Sequence, residues 1–273
     1  MTGKLIILGT PIGNLGDISP RAIEALKNAD FIAAEDTRVT IKLLNHFEIK
    51  KPLISYYEHN KNFRGGVICE RILNGETCVL VSDAGMPAIS DPGEDLVREC
   101  ADLGIPVSVV PGPSALVCAL AVSGLPTGRF TFEGFLTVNK KNRKKHLEEL
   151  VNETRTMVFY EAPHKLLNTL TDFLKIFGDR KICIVKELTK IHEDILRTTI
   201  SKALEIYSEI NKPKGEYVLI LEGAKKKTEK ISLKEASQLA RELVNNGLSA
   251  SQAAKQIANQ TGLKKSDIYN LII

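Results

Sequence analysis

Three loops of small residues are the first places in this sequence where chemistry could happen: Gly9-Thr10-Pro11-Ile12-Gly13-Asn14, Ser82-Asp83-Ala84-Gly85-Met86 and Pro111-Gly112-Pro113-Ser114-Ala115. Each follows a short apolar run, at residues 5–8, 78–81 and 107–110. Small side chains let the main chain come close to a flat or elongated ligand, and in open α/β sheets ligands sit where strands end. Three such loops in one half of the chain predict a single crevice lined by exposed backbone. The spelling narrows the ligand. No Gly-Lys-Ser/Thr is present in GTPIGNLGD, and Gly13-Asn14-Leu15-Gly16 lacks the first glycine of a dinucleotide fingerprint. ATP and NAD are therefore disfavoured, and a ligand without phosphates fits better.

Two polar clusters could act beside that crevice. Glu35-Asp36-Thr37-Arg38 closes the second apolar run, and Lys186-Glu187-Leu188-Thr189-Lys190-Ile191-His192-Glu193 follows a later one. A third charged feature, residues 140–145, carries five positive charges in six positions. Each has a structural alternative. Arg38 can pair with Asp36 or Glu35 instead of clamping a phosphate. Lys186 to Glu193 can be a plain hairpin, residues 140–145 a solvated helix start, and Asp83 the cap of its own turn.

The elements that must position these residues alternate in the βα manner. Strands are predicted at 5–8, 31–34, 78–81 and 107–110, with a helix opened by Ser19-Pro20 and others near 39–47, 62–74 and 93–103. Ser as N-cap with Pro in the first turn is a strong helix start. Ser55-Tyr56-Tyr57 reads as a loop. Alternation of this kind argues for a mostly parallel sheet covered on both faces. Pro111-Gly112-Pro113 marks a boundary, followed by a buried helix closed by Gly124. A second α/β segment is predicted, with strands near 130–134, 156–160, 181–186, 194–200 and 216–222 and helices near 141–153, 163–177 and 201–209. Lys225-Lys226-Lys227 reads as a linker, and three helices follow at 232–246, 250–260 and 265–272, separated by Gly247 and Gly262. The last two resemble a helix-turn-helix unit with Lys264 and Lys265 beside its final helix, fit for nucleic acid or for simple docking.

Composition agrees with a folded, water-soluble chain of 273 residues, 43% apolar and 26% charged, long enough for two domains. The five-residue apolar run at the N-terminus is too short for a signal peptide, and no stretch reaches the length of a membrane span, so a cytosolic protein is expected. The five cysteines form no C-x-x-C pair and the five histidines no H-x-x-x-H, so buried free thiols are expected and no metal site. The net charge of +4 is uneven. Residues 1–224 hold 28 basic and 29 acidic side chains, whereas residues 225–273 hold nine and four. A basic tail on a balanced body points to nucleic acid or a membrane surface.

Seven segments, LGTPIGNLGDIS, AAEDTR, VSDAGMPAISDPG, VPGPSA, FEGFL, YEAPHK and KELTKIHE, lie in order between residues 4 and 222. In order and spacing they resemble the tetrapyrrole methylase (class III methyltransferase) superfamily, in its ribosomal RNA branch. The tail resembles that branch's C-terminal helical extension. The resemblance implies two α/β domains with the cofactor cleft between them, at 1–112 and 113–224, and a basic linker and helical RNA-binding extension at 225–273. It implies S-adenosylmethionine as cofactor, a homodimer, and 2′-O-methylation of a cytidine ribose in the decoding region of small-subunit (16S) ribosomal RNA. It assigns the cofactor to Thr10, Pro11, Asp83, Gly85, Met86, Ile89, Ser90, Ser114 and Ala115, with Tyr160 and Leu188 from the second domain. Where the superfamily usually writes Gly-Asp-Pro, this chain has Ser82-Asp83-Ala84-Gly85, the spelling of the RNA branch.

The chemistry so implied is an in-line displacement, in which a ribose hydroxyl attacks a sulfonium methyl and the protein aligns the two and excludes water. Loss of the hydroxyl proton helps the attack. Glu187 or Lys190, with Asp36 and Arg38 from the other wall, is expected to orient and deprotonate the hydroxyl. Lys140, Lys141, Arg143, Lys144 and Lys145, with Lys264 and Lys265 of the tail, are expected to hold RNA phosphates. A methyltransferase of the same superfamily acting on a tetrapyrrole or a protein is the enzymatic alternative, and a non-catalytic RNA-binding ribosome-assembly protein the other.

Overall fold

Runs of β-branched and aliphatic residues build the first sheet from β1 (Lys4–Leu8), β2 (Phe31–Ala34), β3 (Leu53–Ser55), β4 (Thr77–Val81) and β5 (Val107–Val110), in the order β3-β2-β4-β1-β5. Every pair in it is parallel. The helices between are α1 (Pro20–Asn28), α2 (Thr37–His46), α3 (Lys61–Leu73) and α4 (Gly93–Asp102). The computed structural model describes residues 3–210, 212–225 and 232–273.

Side-chain alternation along each strand divides the core in two. Leu5, Ile7, Phe31, Ala33, Cys78 and Leu80 face α3 and α4, where Ile68, Ile72 and Leu96 meet them. Ile6, Leu8, Ile32, Ala34, Val79 and Val81 face Ala22, Leu26 and Leu44 of α1 and α2. A sheet covered on both faces needs continuous apolar strands, and β1, β2 and β4 have them. β4, β1 and β5 are neighbours, so the loops that follow them emerge side by side at one edge of the sheet.

The chain continues through α5 (Ala115–Val122) into a second sheet of β6 (Phe130–Phe135), β7 (Thr156–Glu161), β8 (Lys181–Lys186), β9 (Asp194–Thr199) and β10 (Tyr217–Leu221), in the order β6-β7-β10-β8-β9. Only β6 and β7 are parallel; the remaining pairs are antiparallel. Leu116, Ala119 and Leu120 of α5 pack on Val158, Val185 and Ile220 on one face. α7 (Leu166–Phe177) and α8 (Ile200–Ser208) cover the other face, and α6 (Lys140–Glu149) adds Leu147 to that core. The fold is thus α/β twice over, within one compact unit that runs to Ala224.

Residues 225–273 form a second unit. It consists of α9 (Leu233–Asn245), α10 (Ala250–Thr261) and α11 (Lys265–Ile272), packed on Ala236, Ala240, Ala253, Ala254, Ile257 and Ile268. Capping boxes at Ser232 and Ser249 start α9 and α10, and Gly262, at φ +73°, ends α10. Of the expected linker, Lys226 and Lys227 lie outside the described residues.

Two local expectations need correction. Ser55 closes an unexpected edge strand, β3, while Tyr56 and Tyr57 lie in the expected loop: β3 follows Pro52 and has only three residues, too few to show a period. α2 starts at Thr37, two residues early, because the Asp36 carboxylate accepts the Arg38 backbone N–H at 2.8 Å and caps the helix.

Candidate active site

The loops after β1, β4 and β5 lock together through their backbones. Thr10 and Gly85 exchange two main-chain hydrogen bonds, at 2.9 and 3.1 Å. Gly9 and Gly112 touch directly, and a Cβ on Gly112 would stand 2.6 Å from the Gly9 carbonyl oxygen. Above them opens a cleft of about 410 Å³ between the two sheets. Its first-sheet wall carries Asp83, Gly85, Met86, Ile89, Ser90, Ser114 and Ala115, and its second-sheet wall Tyr160 and Leu188. Thr10 and Pro11 line a neighbouring hollow of about 260 Å³ instead, which shares Ser82 and Asp83 with the cleft. Thr10 is thus joined to the cleft through the bridge that fixes Gly85.

Tyr160 is held in place by the Leu116 N–H, which donates to its hydroxyl at 3.1 Å, by an edge contact with Phe132 and by a tilted one with Phe135. Burial pushes its phenol up, so it stays neutral. The loop after Met86 folds around Asp91, whose carboxylate accepts the N–H groups of Ala88 and Gly93 at 2.8–3.0 Å.

Charge in the cleft is one-sided. Among the described residues its lining includes five acidic residues, Glu35, Asp83, Asp91, Glu161 and Glu216, and no lysine or arginine, with the Glu161 carboxylate turned to the Thr169 hydroxyl. Such a lining suits a cation and repels phosphates. Burial raises the Glu35 carboxyl, and the charge of Asp83 raises it further. Partial burial likewise raises Asp83.

The two polar clusters stand one hydrogen bond behind this lining. Asp36 donates its backbone N–H to Asp83 Oδ1 at 2.9 Å. Its own carboxylate is clasped by the Arg38 guanidinium, which holds it down to about 2. On the other wall the Glu187 carboxylate accepts the Glu216 N–H at 2.9 Å, and Lys190 Nζ bridges Glu187 and Glu216 at 2.9 and 3.0 Å. Glu187 and Thr189 sit at φ +50° and +67° as the chain turns from β8 toward β9. Burial would raise Glu187, but Lys190 and the Glu216 N–H outweigh it and hold the carboxyl low. Burial would lower Lys190, but the two carboxylates outweigh it and hold the ammonium high.

The comparisons with known proteins fit this geometry. The model of the tetrapyrrole (corrin/porphyrin) methylases matches residues 4–204. A protein of Synechocystis sp. named ribosomal RNA small subunit methyltransferase I is 45% identical over 271 residues, covering 98% of this chain and 97% of its own. The chain belongs to the ribosomal RNA small subunit methyltransferase I family, within the tetrapyrrole methylases. A Thermotoga maritima protein of the same name is 51% identical over 221 residues, covering 81% of this chain and 99% of its own. Among solved structures, the uroporphyrin-III C-methyltransferase of Thermus thermophilus, complexed with S-adenosylhomocysteine, has the same fold. It matches with a TM-score of 0.56 at 19% identity, covering 81% of this chain and 97% of that one.

For a member of this family the placement of the polar residues carries information. Asp36, Arg38, Glu187 and Lys190 are tied to one another or to the wall, whereas Glu35 and Asp83 keep raised carboxyls at the cleft itself. From sequence, Glu35 belongs to a polar cluster beside the crevice and is an ion-pair partner for Arg38, without a site role of its own, and Glu161 and Glu216 are not singled out. For Glu35 the signal was present: it is the first residue after the fully buried strand β2. The basic helix also needs correction. Arg143 is buried, bonding Asp172 and Thr169, each at 2.7 Å, so it is structural and not a phosphate contact. It shares the inward face of α6 with Leu147, four residues on. Lys140, Lys141, Lys144 and Lys145 are exposed. In the tail, Lys264 and Lys265 are exposed, and Lys265 Nζ reaches Ser251 Oγ at 2.9 Å.

Proposed function

We propose that this protein transfers a methyl group from S-adenosylmethionine to the 2′ oxygen of a cytidine ribose in the decoding region of small-subunit ribosomal RNA. The observation that carries the reading is the cation-free, carboxylate-lined cleft at the strand ends, in a chain whose full-length relatives are named for small-subunit ribosomal RNA methylation. Exposed backbone, aliphatic walls and the Tyr160 ring suit a nucleoside, and the carboxylates suit a ligand with a positive sulfur and an ammonium group. When bound, S-adenosylmethionine supplies an electrophilic methyl on a sulfur that leaves as a neutral thioether.

The chain's own part is alignment, exclusion of water and management of one proton. Gly85, Ser114 and Ala115 offer main chain at the cleft, and Met86, Leu188 and Tyr160 exclude water. The attacking hydroxyl must lose its proton as the new C–O bond forms. Glu35 and Asp83 are the acids there whose carboxyls burial raises, which makes each a stronger proton acceptor than an ordinary carboxylate. Asp36 and Arg38 hold Asp83 from behind, and Glu187 and Lys190 hold Glu216 in the same way.

The exposed lysines of α6 and Lys264 and Lys265 of the tail are the groups available to RNA phosphates. A homodimer belongs to the same reading: the free edge strand β5 exposes Val107 and Val109, and α5 exposes Val117 by 56%. Among the described residues no helix is long and apolar enough to cross a membrane, and a ribosomal substrate implies work in the cytoplasm. The test uses small ribosomal subunits that lack the modification, with methyl-labelled cofactor. Label should enter one cytidine and resist alkaline cleavage of the adjoining phosphodiester. Label on a base, on a ribosomal protein or nowhere would overturn the reading.

A further inference from the structure

Two separate segments leave the cleft and enter a second hollow within three residues. Phe135 lines the cleft, and Thr137 and Val138 line the hollow. Ala162 and Pro163 line the cleft, and Lys165 lines the hollow. The second hollow is a trough of about 520 Å³ between α6 and α7. It therefore starts at the rim of the site and runs outward over the second sheet's helices.

The sign of charge reverses along that path. Among the described residues the cleft lining has five acidic residues and no lysine or arginine, whereas the trough draws Lys140 and Lys144 from α6, Lys175 from α7 and Lys165 from the turn before it. Its one acid, Asp172, is spent on Arg143 at 2.7 Å. That pairing leaves the four lysines without another acid in the trough lining. Among the described residues only Lys144 of the four has a carboxylate near its ammonium, Glu148 at 3.6 Å, outside the lining. Asn168 and Thr171 add an amide and a hydroxyl.

We propose that this trough binds consecutive phosphates of the substrate RNA strand next to the methylated nucleotide, with Lys165 and Lys175 as contacts. The inference rests on the ribosomal RNA reading of the cleft and adds where the strand goes. A polyanion anchored in the trough can reach the cleft with one nucleotide while its other phosphates stay clear of the carboxylates. Lys141 and Lys145 belong to the same helix but do not line the trough. Position within the trough, and not charge on α6 as such, decides the contact.

The full-length chain with the double substitution Lys165→Gln and Lys175→Gln tests this. The probe is a fluorescent fragment of small-subunit ribosomal RNA spanning the decoding region, titrated at salt from low to physiological concentration. Loss of two phosphate contacts should weaken binding about tenfold at low salt and reduce the slope of log affinity on log salt by about 1.5. The pair Lys141→Gln and Lys145→Gln should change that slope by less than half as much. An unchanged slope in the trough variant, an equal change in the control pair, or loss of S-adenosylmethionine affinity in the trough variant would each overturn the proposal. Methyl transfer to subunits by the unmodified chain is scored separately. Its absence would remove the function reading, while the binding titration would still decide the trough.

Discussion

Glu35 and Asp83 hold protons that an unfolded chain would release, because burial raises both carboxyls. Between the ordinary carboxylate range and their raised values, the folded state binds more protons than the unfolded one. Their contribution to stability is therefore present below that window and is lost as pH rises through it. Activity should run the other way, since only the ionised carboxylate can take the hydroxyl proton and face a cationic ligand. We expect kcat/KM to rise with pH across the window. Glu35→Gln should remove that limb, slow transfer about 100-fold, and flatten the fall of stability measured by denaturant titration. An acid limb that survives unchanged in both Glu35→Gln and Asp83→Asn would assign the proton to solvent. Residue types gave only part of this. The Asp36–Arg38 ion pair was one of two readings open from spacing alone, and the structure contains it. That Glu35 keeps the raised carboxyl follows from burial, which a linear string of residues does not display.

At the level of elements, the site depends on three loops pressed closer than side chains allow. A Cβ on Gly9 would lie 2.7 Å from Gly112 Cα and 2.6 Å from Met86 Sδ. Gly112→Ala should cost about 1–3 kcal/mol by overpacking and, by parting the loops, should weaken S-adenosylmethionine binding in calorimetry. Gly104→Ala is the comparison: its Cβ would meet nothing within 4 Å, but φ is +67°. That change should cost about 1–2 kcal/mol with cofactor affinity kept. Equal cofactor affinity in the two variants would show that the loops tolerate separation. Strands with both faces covered were legible because they are continuous apolar runs with sharp ends, as at 31–34 and 78–81. The three loops were legible as ligand contacts because small residues cluster after strands. β3 was not, being three residues on a sheet edge, and neither was the mixed order of the second sheet, which depends on pairings far apart in sequence. The inward turn of Arg143 was hidden by its neighbours, since five charges in six positions conceal which one faces the core.

On the scale of the molecule, the charge division made from sequence coincides with a structural one. The nearly neutral residues 1–224 and the basic residues 225–273 are separate compact units, each with its own apolar core. The Thermotoga maritima relative bears on what the second unit contributes. Almost all of that protein is matched by 221 residues of this chain, leaving about a fifth of this chain without a counterpart, close to the size of the tail. A protein of the same family and name thus manages without an extension of that length. The cleft, its carboxylates and the trough beside α6 all lie before Ala224. We expect the tail to serve substrate affinity and not the transfer step. A chain ending at Ala224 should fold, bind S-adenosylmethionine with unchanged affinity and reach the same kcat on small subunits. Its KM for subunits should rise, with a shallower dependence on salt, because the lost unit carries nine basic against four acidic side chains. Steady-state methyl transfer at two salt concentrations checks this. An unchanged KM at both would make the tail irrelevant to RNA, whereas a fall in kcat at saturating subunits would place part of the catalytic apparatus in it.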